Sequence, residues 1–258
     1  MVELHEQIAL VTAGAAGLGR HIARAIAAQG AHVVIGDLDA GAGAAAVAEI
    51  EAHGGSATFQ VADVTDDEDL SELIRTATRL GPLRALVNNA GGWSPGGLQY
   101  PEASRFEWSC ALDLNLRAPM LATQLCLDPM DDNGGGAVVN IASSAGLGPD
   151  AYASPEYGAA KAGLVRFTSC VRGLAADRGV RVSCVVPHWI GLARADLEFQ
   201  RLSPQEQARS GGLVDPDVVA AEVVRLIEDD DSAGFIRAIR ANRSPYLLDP
   251  AGIDPYWS

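Results

Sequence analysis

The sequence predicts one α/β domain over residues 1–258, built on a doubly wound parallel sheet of about seven strands with helices on both faces. Short apolar runs rich in β-branched residues alternate with segments of helical spacing along the whole chain. No linker-like tract or repeat divides it, and 258 residues are few for two domains of roughly 100–200 residues each. Strands that alternate with helices form parallel sheets covered on both faces, and right-handed crossovers wind such sheets in both directions.

Seven short apolar runs are the predicted strands. In order along the chain they cover residues 7–13, 32–36, 57–61, 83–87, 137–142, 181–186 and 234–239. The first ends in a glycine-rich turn, and residues 17–29 after it repeat apolar side chains at helical spacing. An alanine-rich helix follows the second run as far as His53. The TDDE sequence at residues 65–68 predicts the start of a helix as a capping box would, and the fourth run continues directly into NNAG.

Composition and charge exclude several classes of function. The net charge of −14 repels nucleic acids and anionic membrane surfaces. No stretch approaches the ~18 apolar residues of a membrane span, and the first residues show neither the basic segment nor the cleavage site of a signal peptide. The cysteines at positions 110, 126, 170 and 184 have no paired spacing and are expected to be buried free thiols. We therefore expect a cytoplasmic protein that acts on a small molecule, and we assign no metal ligands.

Glycines between the first strand and the first helix are placed to receive a phosphate group. In TAGAAGLG, residues 12–19, the glycines are Gly14, Gly17 and Gly19. Leu18 lies between the last two, in the first turn of the predicted helix. Such a turn brings backbone N–H groups against a pyrophosphate at the positive end of a helix. The spacing is G-x-x-x-G-x-G rather than the common G-x-G-x-x-G. The alternative is a tight turn with no ligand, which needs glycine in any case.

Acidic residues end the next two strands, where a bound dinucleotide would extend. Asp37 closes the second strand, 18 residues beyond Gly19. A carboxylate there can accept hydrogen bonds from an adenosine ribose and repels a 2′-phosphate, which favours NAD over NADP. Asp63 and Val64 end the third strand, where they could bracket the adenine. Each of these residues could instead belong to an ordinary loop.

Tyr157 and Lys161 lie four residues apart in the sequence YGAAK, which places them on one face of a predicted helix. A phenol has a pKa near 10, and a neighbouring ammonium lowers that pKa toward neutrality, where general acid–base catalysis works best. The chain contains 18 arginines and one lysine. A compact ammonium is therefore indicated at position 161, although the same spacing also occurs by chance on many helices.

Three further polar residues follow predicted elements near this pair. Ser143 and Ser144 end the fifth strand, and the Ser144 hydroxyl could polarise a substrate carbonyl. The alternative is that both serines cap a helix or form a turn. Asn115, in the sequence DLNLRAP, lies in a helical stretch where asparagine is mildly unfavourable. It either holds a buried water or bonds a neighbouring carbonyl.

Taken in order, these motifs resemble the short-chain dehydrogenase/reductase family, of the compact single-domain kind with a Rossmann-like fold. The resemblance spans residues 5–192 and rests on TAGAAGLG, the aspartate of strand two, DV, NNAG, the asparagine of LNL, SS and YGAAK. Each motif is common, and the ordered set is highly specific. It implies an NAD-dependent enzyme that interconverts an alcohol and a ketone or aldehyde by hydride transfer.

The resemblance also implies roles for individual residues. The implied catalytic residues are Asn115, Ser144, Tyr157 and Lys161. Tyr157 would be the general acid and base, and Lys161 would also hydrogen-bond the nicotinamide ribose. The residues implied to line the cofactor cleft beyond the glycine-rich turn are Asn89, Ala90 and Gly91.

Two departures from the family pattern affect the cofactor and substrate sites. After strand six the family usually reads P-G-x-x-x-T, whereas this chain reads PHWIGL at residues 187–192. A threonine hydroxyl is therefore missing, and His188 replaces a glycine, although Ile190 could still contact the nicotinamide through its backbone. The chain also lacks the family's frequent V-D-G-G ending. Three alternatives stay open: an NADP-dependent carbonyl reductase, a non-catalytic NAD sensor, and a structural subunit.

Three segments are expected to border the substrate pocket: residues 92–103, 147–156 and 190–212. Aromatic residues in these segments or next to them include Trp93, Tyr152, Trp189 and Phe199, and the segments carry few cations. This composition favours a neutral, partly apolar alcohol. Residues 190–212 are expected to form a mobile lid, because Gly191, Gly211 and Gly212 could serve as hinges.

A homo-oligomer, dimer or tetramer, is expected from residues 106–130. This region is richer in apolar side chains than is needed to cover one face of the sheet. The side chains concerned are Trp108, Leu112, Leu114, Leu116, Met120, Leu121 and Leu125.

Overall fold

The computed structural model describes residues 3–92, 97–148 and 153–248, and within them one sheet of eight strands. The strands are β1 (Ile8–Thr12), β2 (His32–Asp37), β3 (Ser56–Val61), β4 (Leu83–Asn88), β5 (Gly136–Ile141), β6 (Val180–Pro187), β7 (Ile236–Ile239) and β8 (Tyr246–Leu247). Their order is β3-β2-β1-β4-β5-β6-β7-β8. The first seven strands are parallel, as predicted, and β8 pairs with β7 in the antiparallel direction.

Ten α-helices lie within the described ranges. They are α1 (Gly17–Ala27), α2 (Ala40–Ala52), α3 (Asp67–Leu80), α4 (Arg105–Leu112), α5 (Ala118–Asp132), α6 (Pro155–Cys170), α7 (Leu174–Arg178), α8 (Ala193–Arg201), α9 (Pro204–Ser210) and α10 (Pro216–Glu228). A π-helical turn, Asp113–Arg117, joins α4 to α5, and a 3-10 turn, Ser144–Gly146, follows β5. None of these helices is long and apolar enough to cross a bilayer.

The sheet has an apolar core on each face, which confirms the doubly wound arrangement. One core joins β1 and β2 to α1, α2 and α10 through side chains such as Ile22, Ile35 and Val223. The opposite core joins the strands to α3 and α5, and a third cluster packs α6 against β6 and β7. All five residues of β1 are buried, as a strand covered on both faces requires.

Two details differ from the sequence predictions. β8 was not predicted, because two residues are too short a run to show strand periodicity. The cap of α3 is Asp66, whose carboxylate accepts the N–H groups of Glu68 and Asp69, so the predicted capping box from residue 65 is wrong. Thr65 instead donates its hydroxyl to Asp63, 2.7 Å away.

The cysteine prediction is half right. All four thiols are free, but Cys110 and Cys170 are exposed, while Cys126 and Cys184 are buried. Burial raises the pKa of each of the two buried thiols to about 12. Both exposed cysteines lie on helices that have one open face.

Candidate active site

The carboxyl ends of β1 and β4 face a crevice where the strand order reverses. From β1 the chain proceeds outward to β2 and β3 in one direction and, later, to β4 and beyond in the other. Open α/β sheets bind their ligands at such a switch point, outside the carboxyl ends of the strands. All the motif residues predicted from the sequence follow the carboxyl ends of strands around this crevice or lie on the helices that flank it.

The turn after β1 is tight, with left-handed backbone angles and close approaches of the backbone to its neighbours. Ala13 and Gly17 have positive φ angles of 50° and 51°. A side chain at Gly19 would overlap the carbonyl oxygen of Ala13 and come within 2.6 Å of the Asn89 amide nitrogen. Gly14 packs almost as closely, with its Cβ position 3.1 Å from the carbonyl oxygen of Val11. The backbone therefore approaches its neighbours here as closely as a phosphate cradle requires.

The start of α1 lacks a side-chain cap. Ala16 occupies the N-cap position and supplies no acceptor for the first N–H groups of the helix. Leu18 turns its side chain into the core, so at this turn only its backbone N–H is open to a ligand. These uncapped N–H groups, at the positive end of a helix, fit the pyrophosphate of a dinucleotide.

Thr12 and Asn89 fix the glycine-rich turn against the end of β4. The Thr12 hydroxyl accepts the N–H groups of Asn89 and Ala90, each at 3.0 Å. The Asn89 amide donates to the carbonyl oxygens of Thr12 and Ala13, also at 3.0 Å. Asn89 and Ala90 thus hold the turn in place, a role that sequence reasoning did not assign to them or to Thr12.

Asp37 sits at the edge of the same turn. Its carboxylate accepts the N–H of Ala15 at 3.1 Å and that of Leu38 at 2.7 Å, and the side chain is partly exposed. The cation nearest in sequence to the glycines, Arg20, pairs instead with Glu49 on α2. The end of β2 therefore presents a fixed carboxylate, with Arg20 engaged elsewhere.

The side chains of the two residues predicted to bind the cofactor after β3 are engaged in the fold itself. The Asp63 carboxylate accepts both the N–H and the hydroxyl of Thr65, so it already caps its own turn. Val64 is buried in the core between the sheet and α3. Both residues remain at the carboxyl end of β3, but their side chains have clear structural functions.

Lys161 is buried on α6, and its ammonium donates to the carbonyl oxygen of Ile141 at the end of β5, 2.8 Å away. Burial lowers the pKa of Lys161 to about 8. The ammonium lies 5.7 Å from the centre of the half-buried Tyr157 ring. The i, i+4 spacing therefore brings the two side chains together, as predicted.

Asn115 reaches the same place from the π-helical turn. Its amide oxygen accepts the N–H of Gly92, and its amide nitrogen donates to the carbonyl oxygens of Gly92 and Ala111, each at 2.9 Å. A Cβ at Gly91 would lie 2.8 Å from both Asn115 Oδ1 and Lys161 Nζ. Of the two interpretations offered for Asn115, the bond to neighbouring backbone groups is the one observed. π-Turns within helices occur frequently at functional sites.

The two serines after β5 have separate functions. Ser143 accepts the N–H of Ala145 at 3.1 Å and caps the 3-10 turn. Ser144 is the first residue of that turn, which lies directly against α6. A Cβ at Gly146 would lie 2.5 Å from the Ala162 nitrogen. The turn is thereby held beside Lys161, and only Ser143 is the capping serine.

The PHWIGL segment leaves β6 and crosses toward the glycine-rich turn. Ile190 pairs with Val214 in a parallel bridge and packs against the α1 side of the core. Leu192, rather than Ile190, approaches the turn, with its Cδ1 atom 3.7 Å from the Cβ position of Gly17. The rings of Trp189 and Phe199 pack edge to face, 6.2 Å apart. Trp93 and Tyr152 lie outside the described residues.

Comparisons with known proteins find similar sequences over most of the chain. A family model described as short chain dehydrogenase matches residues 7–198. A subunit of (2S)-[(R)-hydroxy(phenyl)methyl]succinyl-CoA dehydrogenase from Thauera aromatica is 35% identical over 90% of this chain and 93% of its own.

Solved structures are also similar. A short-chain dehydrogenase/reductase from Burkholderia xenovorans superposes with a TM-score of 0.83 at 34% identity, over 92% of this chain and 96% of its own. An actinorhodin polyketide ketoreductase solved with NADPH gives the same TM-score and the same coverage at 27% identity.

Proposed function

The chain belongs to the short-chain dehydrogenase/reductase family of oxidoreductases, and on that premise we propose that it interconverts an alcohol with a ketone or aldehyde by using NAD. The observation that carries the proposal is the buried Lys161 ammonium beside the Tyr157 ring, at the carboxyl ends of β4 and β5. Removing an ammonium from water is costly unless its charge is paired. Here the ammonium can stabilise a tyrosine phenolate.

The proposed chemistry divides the reaction between cofactor and protein. Bound NAD would supply hydride transfer at its nicotinamide ring. Tyr157 would accept the proton of the alcohol during oxidation and return it during reduction, because Lys161 favours the phenolate. Ser144 would hydrogen-bond the reacting oxygen, and Lys161 would also donate to the nicotinamide ribose. Asn115, through Gly92, would keep the loop after β4 against Lys161.

The test of the chemistry is the variant Tyr157→Phe. We expect turnover of alcohols and ketones to fall by at least about a thousandfold, while NAD binding stays nearly unchanged, since only a hydroxyl is removed. Lys161→Arg should also fail, because a guanidinium cannot take the position of the compact ammonium. Steady-state kinetics with a panel of alcohols and ketones, together with calorimetric NAD binding, would decide. Near-normal turnover by Tyr157→Phe would contradict the proposal.

NAD rather than NADP is supported by the groups around Asp37. The carboxylate is held by the N–H of Ala15 in the phosphate turn, so it cannot easily rotate away from a 2′-phosphate. Arg20, the residue after Gly19, is engaged with Glu49. The alternative of an NADP-dependent reductase keeps one supporting observation, the NADPH in the similar polyketide ketoreductase.

The test of cofactor choice is replacement of Asp37 by Ser or Ala. NADP would bring its 2′-phosphate against the Asp37 carboxylate and would lose the ribose hydrogen bonds. Together these effects disfavour NADP by at least about 3 kcal/mol, or roughly a hundredfold in kcat/KM. We expect the native protein to prefer NAD by that factor. The substitution should weaken NAD and admit NADP. A native preference for NADP would overturn the assignment.

The remaining parts of the proposal concern the substrate and its surroundings. The packed rings of Trp189 and Phe199 support a partly apolar alcohol as the substrate. Residues 190–212, which include α8 and α9, are proposed as a lid over it. We also propose a cytoplasmic homo-oligomer. The rival function, an NAD sensor without turnover, would bind the cofactor yet fail with every substrate of the panel.

A further inference from the structure

His188 and Arg240 are neighbours at the carboxyl ends of β6 and β7. Pro187 pairs with Ile239 in the parallel ladder, and the His188 N–H donates to the carbonyl oxygen of Ile239 at 2.8 Å. The ladder between β6 and β7 ends at this pair, and His188 and Arg240 are the residues that directly follow it. The bond from the His188 N–H continues the strand pairing by one step. Side chains at the same level on neighbouring strands lie on the same face of the sheet.

That face is the one covered by the catalytic helix α6. Cys184 and Val186 belong to the cluster that packs against α6, whereas Val185 belongs to the core on the opposite face. Because successive side chains alternate, His188 points to the α6 face. The same alternation along β7 starts from Ile236, which is in the α6 cluster, and gives Arg240 the same orientation.

The pair lies beyond the reacting groups rather than among them. Lys161 Nζ binds the carbonyl oxygen of Ile141, and Ile141 is level with Val185 in the ladder. His188 is three residues further along, about 10 Å at the rise of a β-strand. A group held there would belong to the part of a substrate remote from its reacting carbon.

The segment after β7 is positively charged, although the chain as a whole carries a net charge of −14. Residues 240–245 read RANRSP, with two arginines and no carboxylate. Arg240 is exposed, and within the described ranges its guanidinium makes no ion pair. Arg243 lies over the ring of Tyr246, 5.4 Å from its centre, and Tyr246 pairs with Ala238 on the α6 face.

The state of His188 fits a hydrogen-bonding rather than a cationic role. Burial lowers the pKa of its imidazole below the usual range, and the nearby charge of Arg240 lowers it further. The ring is therefore mainly neutral at neutral pH. It can donate one hydrogen bond while Arg240 supplies the charge.

We propose that Arg240, with His188 beside it, binds an anionic group of the substrate, a carboxylate or a phosphate ester, remote from the carbon that Tyr157 serves. This proposal rests on the proposed oxidoreductase function and refines its substrate class. The sequence interpretation favoured a neutral substrate because it considered three cation-poor segments, and residues 240–245 belong to none of them.

The first experiment compares matched substrate pairs with NAD: 3-hydroxybutyrate against its methyl ester, and glycerol 3-phosphate against glycerol. In the native protein we expect kcat/KM to favour an anionic member by about tenfold or more, the range of a charge-assisted hydrogen bond. Arg240→Gln should remove most of that preference, and Arg240→Lys should retain part of it. Arg225→Gln, at an exposed arginine of α10, is the matched control and should keep the native ratio. Turnover without any anionic preference would overturn the inference while leaving the proposed function standing.

The second experiment does not depend on turnover. The His188 imidazole resonance, assigned with His188→Gln, is followed by NMR during separate titrations with acetate and with inorganic phosphate, in the presence of NAD. Binding should shift the resonance in the native protein and in Arg225→Gln, with an affinity at least about tenfold weaker in Arg240→Gln. The anion that binds more tightly identifies the class. No shift with either anion, or an equal shift in Arg240→Gln, would show that the proposal is wrong.

Discussion

At the scale of the residue, Lys161 is the most constrained side chain of the site. It is the only lysine in a chain with 18 arginines, and it is buried with its ammonium on the Ile141 carbonyl oxygen. One hydrogen bond to a carbonyl does not offset the cost of removing an ammonium from water, which is why its pKa falls to about 8. A ligand that brings negative charge or hydrogen-bond acceptors next to Lys161 would raise this pKa again and keep the lysine charged.

This pKa predicts how NAD affinity depends on pH. Below about pH 8 the unliganded protein already holds the ammonium that would donate to the nicotinamide ribose. Above that pH the lysine is neutral, so binding must take up a proton, and the dissociation constant should rise by up to about tenfold per pH unit.

Calorimetric titration of NAD from about pH 7 to about pH 9.5, in buffers of different ionisation enthalpy, would measure both the affinity and the proton uptake. Lys161→Met is the control and should bind NAD weakly, without the change near pH 8. An affinity that is constant across this range in the native protein would contradict the prediction.

Residue types and spacings predicted which side chains gather at the site, but not how each is bonded. The i, i+4 spacing sufficed for Tyr157 and Lys161, because a helix fixes that geometry locally. The choice between Ser143 and Ser144 as the cap depended on the φ and ψ angles of a three-residue turn. The bonds of Thr12 to Asn89 and Ala90 join residues 77 and 78 positions apart, which no local pattern encodes.

At the scale of the element, long strands were predictable and their ends were not. β6 is buried at all eight positions, and its apolar run was visible in the sequence. In the segment after it, PHWIGL, the His188 N–H donates one more hydrogen bond to β7, and Ile190 then forms a bridge with Val214. These contacts are set by the partners that tertiary folding brings to the edge of the sheet. No local pattern therefore indicated that Leu192 approaches Gly17.

The lid is the element for which we predict movement. α8 and α9 follow this segment, and α9 ends at Gly211, whose φ of 77° is that of a left-handed C-cap. The side chain of Asn242 holds the Gly211 carbonyl oxygen at 3.2 Å. We expect trypsin to cut after Arg201, an exposed residue of α8, and NAD with a substrate of the panel to slow this cut several-fold by ordering the lid.

Mass spectrometry of the fragments would follow that cut, with cutting after the exposed Arg105 at the start of α4 as the internal control. Equal rates at residue 201 with and without ligands would count against a lid.

At the scale of the whole molecule, the net negative charge and the local positive charge of residues 240–245 have different effects on binding. A net charge of −14 gives the molecule a long-range field that repels other anions. Residues 240–245, in contrast, concentrate positive charge directly after the carboxyl end of β7. A local field of that kind attracts a small anion without changing what the rest of the surface repels.

An apolar face on the outside of α4, α5 and α6 predicts association with a second copy of the chain. Several side chains of the predicted set are only half-buried, because the inner face of α5 is already filled by small residues such as Ala118 and Ala122. They border a groove of about 590 Å³, lined by Leu112, Leu116, Met120, Leu121, Leu127 and Phe167. Arg117 rims the groove and pairs with Asp67 and Asp113. A mostly apolar centre with a charged rim has the composition of a protein interface.

A two-fold arrangement would bring each groove against its copy, so a charge placed in it would face a like charge. We therefore expect a mass above that of the monomer by light scattering at micromolar concentration, and a monomer for Met120→Asp, since Met120 is 42% exposed at the groove. Val218→Asp is the matched control, because Val218 is 40% exposed on α10, on the other side of the sheet, and it should leave the native mass unchanged. If the native protein is already a monomer, or if both variants dissociate alike, the apolar face has no second copy as its partner.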